Sequence, residues 1–380
     1  MKRSILLFLV VVILAFFTLL APICNRCVSG STKMDDSSYS NNELSTDNIR
    51  LVFVGDVMGH ETQLKGAWFE GGDSCYNFTP TFEGIKKYVS SADLAIANFE
   101  VTLAGEPYSG YPSFSSPNSL AVDLQEAGFD LFLTANNHIL DRGAKGLENT
   151  LLTLEKLGIT NTGTFRDSLQ WRSNYPLIME KKGFRLAFLN YTYGTNMSRA
   201  KPPMIVNYID TVRMAADLRK ARTMNVDFII ACVHWGEEYK KVENKEQVQI
   251  ANFLAQNGCN LIVGAHPHAI QPIKKVKGIA SDSVLVAYSL GNFISNQRWR
   301  YSDGGIMLDV TLTKKNGVVS LDSYHYEPFW VRCYPEKGVL VYRMIPVMDY
   351  LTNPDRYTVP AEDEKLLIQF HNDTKGIINN

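Results

Sequence analysis

The sequence predicts an α/β protein, built on a mixed or parallel sheet layered by helices. Two observations carry that reading. Short apolar, β-branched runs alternate along the chain with segments of helical periodicity. Most of those runs also release an Asp, Glu, Asn or His within a few residues of their ends, where sites gather in open α/β sheets.

Composition sets the outer limits. At 380 residues the chain is long enough for one large domain or two ordinary ones. Hydrophobic residues make up 45% and charged residues 20%, which fits a globular chain and not a disordered one. A formal net charge of -1 argues against nucleic acid or an anionic membrane surface as an electrostatic partner.

The amino terminus reads as an export segment. Lys2 and Arg3 precede an apolar run from Ile5 to Leu20, long enough to stay as a single membrane anchor. Cys24 raises the thought of a lipoprotein, against which Pro22 and Ile23 are poor residues before a lipidated cysteine. The basic residues lie before the run, so the expected location is the extracytoplasmic cell envelope: membrane-anchored or lipoprotein, otherwise secreted. Residues 1–27 are thus an expected signal or anchor, and the Ser-, Asn- and Asp-rich stretch 28–48 a flexible linker. Residues 49–330 form the main domain, and 331–380 a small C-terminal extension packed on it. The six cysteines show no disulfide framework, and Cys232 and Cys259 read as buried free thiols.

In order, the first expected strand is Ile49–Val54, ending at Gly55-Asp56. A helix over Phe82–Val89 precedes a strand, Asp93–Ala97, that delivers Asn98-Phe99-Glu100. The Gly-, Pro-, Ser- and Tyr-rich stretch from Gly105 to Pro117 is long enough for a cleft wall or lid. A helix over Leu120–Ala127 and a strand over Phe129–Thr134 lead to Asn136-Asn137-His138, and Gly143–Leu157 is an amphipathic helix. Tyr175–Met179 and Phe184–Asn190 pair about the Lys181-Lys182-Gly183 turn. A helix over Ile209–Met224 precedes the strand Phe228–Val233, which runs into His234-Trp235-Gly236-Glu237-Glu238. After a helix over Glu246–Gln256, the run Leu261–Val263 enters Gly264-Ala265-His266-Pro267-His268, where Gly264 is expected to let the backbone bend. Val284–Tyr288 ends near Asn292, and Ile306–Leu312 with Val318–Tyr324 reads as a hairpin. From Tyr334 the pattern weakens to Val339–Tyr342 and a helix over Glu362–His371.

Single residues have plain readings: Asn98 or Asn137 can cap a turn, and His234 can be a hydrogen-bonded core histidine. Their conjunction after successive apolar strands points to metal. Carboxylates with imidazoles suit Mn, Zn or Fe, whereas a calcium site would be mostly oxygen. His60, Asn98, Trp235 and Asn292 are candidates for shaping substrate binding, and Asp141 with Arg142 for an ion pair that holds the His138 loop.

Gly55-Asp56-Val57-Met58, Asn98-Phe99-Glu100, Asn136-Asn137-His138-Ile139-Leu140-Asp141-Arg142-Gly143, His234-Trp235-Gly236-Glu237-Glu238-Tyr239, Gly264-Ala265-His266-Pro267-His268 and Ser289-Leu290-Gly291-Asn292-Phe293 together resemble the CapA-type capsule, or poly-γ-glutamate, synthesis family. That family resembles the calcineurin-like metallophosphoesterases, which implies a four-layer α/β/β/α sandwich and a dinuclear metal centre. The resemblance implies Asp56 and His268 for the first metal, Glu100 as the bridge, and Asn137, His234 and His266 for the second. It gives His138 the role of protonating a leaving group or orienting phosphate, with Asp56 and Glu100 as catalytic carboxylates. Two departures stand out: Met58 where those enzymes usually carry a histidine, and Glu100 in place of an aspartate. The first leaves open two metals, one metal, or His60 as a substitute ligand. The expected function is a membrane-tethered, metal-dependent hydrolase acting on an envelope polymer or its precursor. The alternative is a non-catalytic subunit of a capsule synthesis or export complex.

Overall fold

The computed structural model describes residues 47–279 and 283–378. The expected export segment, the linker through residue 46, Cys24 and Cys27 lie outside the described residues. Among the described residues no helix is long and apolar enough to cross a membrane.

The first half alternates strand and helix. Strand β1 (Asp47–Val57) leads to α1 (Glu61–Glu70) and α2 (Thr79–Ser90), then to β2 (Leu94–Phe99), α3 (Ser119–Ala127) and β3 (Leu131–Leu133). Next come α4 (Gly143–Lys156), β4 (Thr160–Thr162), β5 (Thr164–Phe165) and α5 (Ser168–Asn174). The second half opens with the hairpin β6 (Leu177–Lys181) and β7 (Phe184–Thr192), then β8 (Ile205–Val206), α6 (Thr211–Thr223), β9 (Phe228–His234), α7 (Lys245–Gln256) and β10 (Leu261–Ala265). It continues through β11 (Ile273–Val276), β12 (Val284–Ala287), β13 (Asn292–Ile294), β14 (Gly304–Lys315), β15 (Val318–Glu336) and β16 (Val339–Pro346). Helices α8 (Val347–Thr352) and α9 (Ala361–Ile378) end the described chain.

These strands make two large sheets. The first runs β16-β15-β14-β1-β2-β3-β4, with β13 beside the end of β1; the second runs β11-β12-β10-β9-β7-β6. Strands β1 to β4 are mutually parallel, as are β7, β9, β10 and β12. The period of two along each strand explains the layering. In β1, Leu51 and Phe53 face Phe188, Ile230 and Leu261 of the second sheet, while Val52 and Val54 face Phe82 and Leu124 of the helices outside the first. In β9, Phe228 and Ile230 point inward while Ile229 and Val233 meet Leu218 and Leu254 of α6 and α7. Strands apolar on both faces need cover on both faces, so the product is the four-layer α/β/β/α sandwich.

Three expectations change. Helix α1 was not foreseen, because Gln63, Leu64, Gly66 and Ala67 make a buried face too sparse in large apolar residues to announce itself. The residues beyond Tyr334 do not merely decorate the domain. β15 crosses the expected boundary at residue 330 and pairs with β16 along its length, and Leu367 and Phe370 of α9 enter the core between the sheets. Prolines at 328 and 335 and the charged Arg332 broke the alternation by which those strands would have been read.

Gly264 also has a different role. It lies inside β10, and the left-handed residues are His266 (φ 102°) and His268 (φ 57°). Glycine is needed at 264 for closeness: a Cβ there would collide with the Tyr288 carbonyl oxygen and with Trp235 Nε1, which bond each other at 2.9 Å. Gly264→Ala should therefore cost about 1–3 kcal/mol of unfolding free energy in a denaturant titration, the usual range for overpacking. A variant within 0.5 kcal/mol of wild type, roughly the scatter of neutral surface substitutions, would remove the close-approach argument.

Candidate metal centre

The carboxyl ends of the parallel strands of both sheets meet at one point. The first sheet brings Asp56 from β1, Asn98 and Glu100 from β2, and Asn137 and His138 from the turn after β3. The second brings His234 from β9 and His266 and His268 from the turn after β10. A register shift between Val54 and Asp56 re-aims the end of β1, and Asp56 is fully buried. Asp56 Oδ2 lies 2.9 Å from His268 Nδ1, and Oδ1 accepts from Asn98 Nδ2 at 2.7 Å and from the His266 backbone N–H at 3.2 Å.

Three groups of donors can each hold a cation, their ligand atoms lying within 4.8 Å of one another: Asp56, Glu100 and His268; Glu100, His234 and His266; and Glu238, His266 and His268. Glu100 belongs to the first two, as a bridging carboxylate should. Asn137 Oδ1 adds a neutral oxygen 2.8 Å from His234 Nε2. Among the described residues, two buried polar atoms at this point have no partner: Glu100 Oε1 and His266 Nδ1. A buried polar atom left unpaired costs about 1–3 kcal/mol, so the cluster as it stands invites a cation that both atoms could bind.

The protonation states agree. Burial alone would raise the Asp56 pKa, but the His268 hydrogen bond and charge, with Asn98's donation, outweigh it and leave the carboxyl below its ordinary value. Glu100 is pushed well above its ordinary value by burial and then by the Asp56 charge. Burial and the neighbouring His266 hold His234 well below the usual range, while burial and His268 bring His266 down to about 3. At the 3.6 Å approach of His234 Nε2 to Glu100 Oε1, burial works against both charged forms, raising the carboxyl pKa and lowering that of the imidazole, so the pair is not held as an ion pair. Neutral imidazoles with free lone pairs are the form that metals take.

His138 stands apart from the donor groups. Its Nδ1 is 2.7 Å from Asp141 Oδ2, which also accepts from the Phe114 backbone N–H at 2.9 Å. The Phe114 ring meets the imidazole edge-on at 4.7 Å. The expected Asp141–Arg142 ion pair is therefore corrected: Asp141 orients His138, while Arg142 bonds Ser109 Oγ and the Pro107 carbonyl. That tie fastens the Gly105–Pro117 stretch, whose Tyr111 helps wall a cavity of about 390 Å³. His138, His268, Met58 and Glu238 line the same cavity.

The structure brings Asp56, Glu100, Asn137, His138, His234, His266 and His268 together and sorts the remaining candidates. His60 lines the cavity, but it belongs to none of the donor groups and its Nδ1 sits between Gln63 Oε1 and the Asn296 N–H. Asn98 is buried and donates to Asp56 and Glu100 (2.7 and 3.1 Å), so it positions those carboxylates. Trp235 turns away into the core under α6 and α7 and stacks on Tyr288. Asn292 is buried behind Gln297, to which it donates at 2.9 Å. Tyr193, just past β7, was missed; its ring covers His266 at 4.6 Å and lies parallel to His234. The signal for it was present, since β7 is one more parallel strand ending at the same edge.

The model of the family described as bacterial capsule synthesis protein PGA_cap matches residues 50–297. The capsule biosynthesis protein CapA of Bacillus anthracis is 25% identical over 285 residues, which cover 72% of this chain and 66% of that protein. The PGA biosynthesis protein CapA of Bacillus subtilis is 25% identical over 346 residues, 87% of this chain and 85% of that one. Among solved structures, the calcineurin-like phosphoesterase YfkN of Bacillus subtilis covers 88% of this chain and 100% of its own at 12% identity and a TM-score of 0.47. A phosphatase from Mycoplasma pneumoniae covers 75% and 94% at 15% identity and a TM-score of 0.43. The family match spans most of the chain and every donor described above, and the chain belongs to the bacterial capsule synthesis protein family.

Proposed function

We propose that this chain is a metal-dependent hydrolase of capsule biosynthesis, tethered outside the cytoplasm by its N-terminal segment. Its substrate is poly-γ-glutamate, a related envelope polymer, or a precursor of one. The observation that carries the reading is the pair of orphaned atoms, Glu100 Oε1 and His266 Nδ1, inside a buried cluster of convergent donors. A surface kept only for binding has no use for that cost. Asp56 and His268 hold one side of the centre, Asn137, His234 and His266 the other, and Glu100 spans them. Bound there, divalent ions such as Mn, Zn or Fe supply Lewis acidity toward a phosphoryl or carbonyl oxygen and lower the pKa of water.

The chain's own contribution is proton handling and orientation. Asp141 fixes the ring of His138 through Nδ1, leaving Nε2 to carry or give up a proton in the cavity that His138 lines. The bond cleaved is a phosphoester or an amide. A second reading, a non-catalytic subunit of a capsule synthesis or export complex, has Met58 in its favour, since a thioether is a weak donor among oxygens and imidazoles.

Two outcomes are expected. In the full chain purified without chelator, elemental analysis should find divalent metal, with His266→Ala losing more of it than His268→Ala because the His268 side has Met58, a weak donor, where the His266 side has His234 and Asn137. Equal loss from both would contradict the ordering, and a wild type free of metal would sink the hydrolase reading. With Mn added, the wild type should hydrolyse a phosphomonoester, phosphodiester or γ-glutamyl amide. His138→Gln should slow that reaction by about 10²–10⁴, the usual worth of a general acid, at unchanged metal content. An equally active variant would remove His138 from the chemistry.

A further inference from the structure

We propose that Glu238 is a ligand of the Asp56–His268 side of the centre, completing it with a third carboxylate and making it the manganese-preferring side. This rests on the metal-centre reading above. The Asp56, Glu100 and His268 group supplies three donors. Met58, whose thioether is a weak donor, lines the same cavity as His268 and belongs to none of the donor groups. Glu238 lines the same cavity, and its carboxylate closes to within 4.8 Å of donor atoms of both His266 and His268.

The backbone holds Glu238 there. Gly236 takes a left-handed φ of 89°, and a Cβ on it would run into the buried Gln247 side chain. The Tyr239 N–H then donates to the Pro267 carbonyl at 2.7 Å, pinning the turn to the residue between the two histidines. Of the adjacent glutamates, Glu237 is directed away, 3.4 Å from Asn244 Nδ2 at the start of α7. Glu238 is exposed, so its carboxylate reaches the cavity from the solvent side, opposite to the buried Asp56 and Glu100 in its degree of burial.

The donor chemistry of the two sides then differs. Asp56, Glu100 and Glu238 with one imidazole make a set of three oxygens and one nitrogen that suits Mn, whereas His234 and His266 with Asn137 and Glu100 make an evenly mixed set of two nitrogens and two oxygens that suits Zn or Fe.

The test is manganese binding to the full chain, by equilibrium dialysis with elemental analysis and by thermal unfolding. Wild type should hold two ions. Glu238→Gln, a change at an exposed side chain, should hold one, or bind the second at least tenfold more weakly, with the metal-free unfolding temperature unmoved. Met58→His placed in the Glu238→Gln background should restore the second ion by supplying an imidazole within the same cavity; the double variant's circular dichroism checks that it folds. Retention by Glu238→Gln of the wild-type count and affinity overturns the proposal while leaving the metal centre intact. A wild type that binds no manganese, zinc or iron overturns the centre itself, and Glu238's role with it.

Discussion

The Asp56 carboxylate is the tie on which this end of the molecule depends. It leaves β1 of the first sheet fully buried and is met from the second sheet by the His268 imidazole and the His266 N–H, and from β2 by Asn98. The apolar faces of the two sheets attract without direction, so they fix a spacing but no register between strand ends. Directional bonds to one buried carboxylate supply that register. They also explain why the carboxyl stays ionised against its own burial: the histidine and amide that lock the sheets are the partners that lower its pKa.

Glu100 makes the complementary case. It is as buried as Asp56, yet one of its oxygens is bare while Asn98 donates to the other, and burial and then the Asp56 charge push its pKa well up. Two carboxylates side by side in a dry site push their pKa values apart. A divalent ion held by these residues would reverse that balance by favouring the ionised form of both carboxyls, and Glu100 Oε1 and His266 Nδ1 are the unpartnered atoms that would be available to it.

Most of this was legible in the sequence for a definite reason. Strands covered on both faces read as unbroken apolar runs, so their ends stand out, and the residues at those ends, Asp56, Glu100, Asn137, His234, His266 and His268, are the ones the two sheets gather at one point. What was not legible depends on contacts across elements. Asp141 looked like a partner for its neighbour Arg142, but the turn places it on His138, three residues back, and sends Arg142 to the Ser109 loop. Trp235 sits next to a donor in sequence and on the opposite face of the strand, as the period of two demands. Gly264 could be read as a bend because a glycine beside a turn usually is one; only the Tyr288 carbonyl crossing behind it shows otherwise.

The strain that a glycine might have absorbed is carried by the histidines themselves. His266 and His268 both have positive φ, where a residue with a Cβ costs of order 1–3 kcal/mol. Successive residues of an ordinary strand point to opposite faces, so an extended backbone would spread residues 265 to 268 over both sides of the sheet. Left-handed turns at 266 and 268, with Pro267 between them, curl the chain so that both imidazoles address one point, their ring centres 5.9 Å apart. The turn is held from outside by Tyr239 N–H on the Pro267 carbonyl and from inside by Asp56 on the His266 N–H. Those two bonds fasten the Glu238 turn and the first sheet to the same three residues. The strained loop is therefore the joint through which the carboxylates of one sheet and the histidines of the other are held in fixed relation.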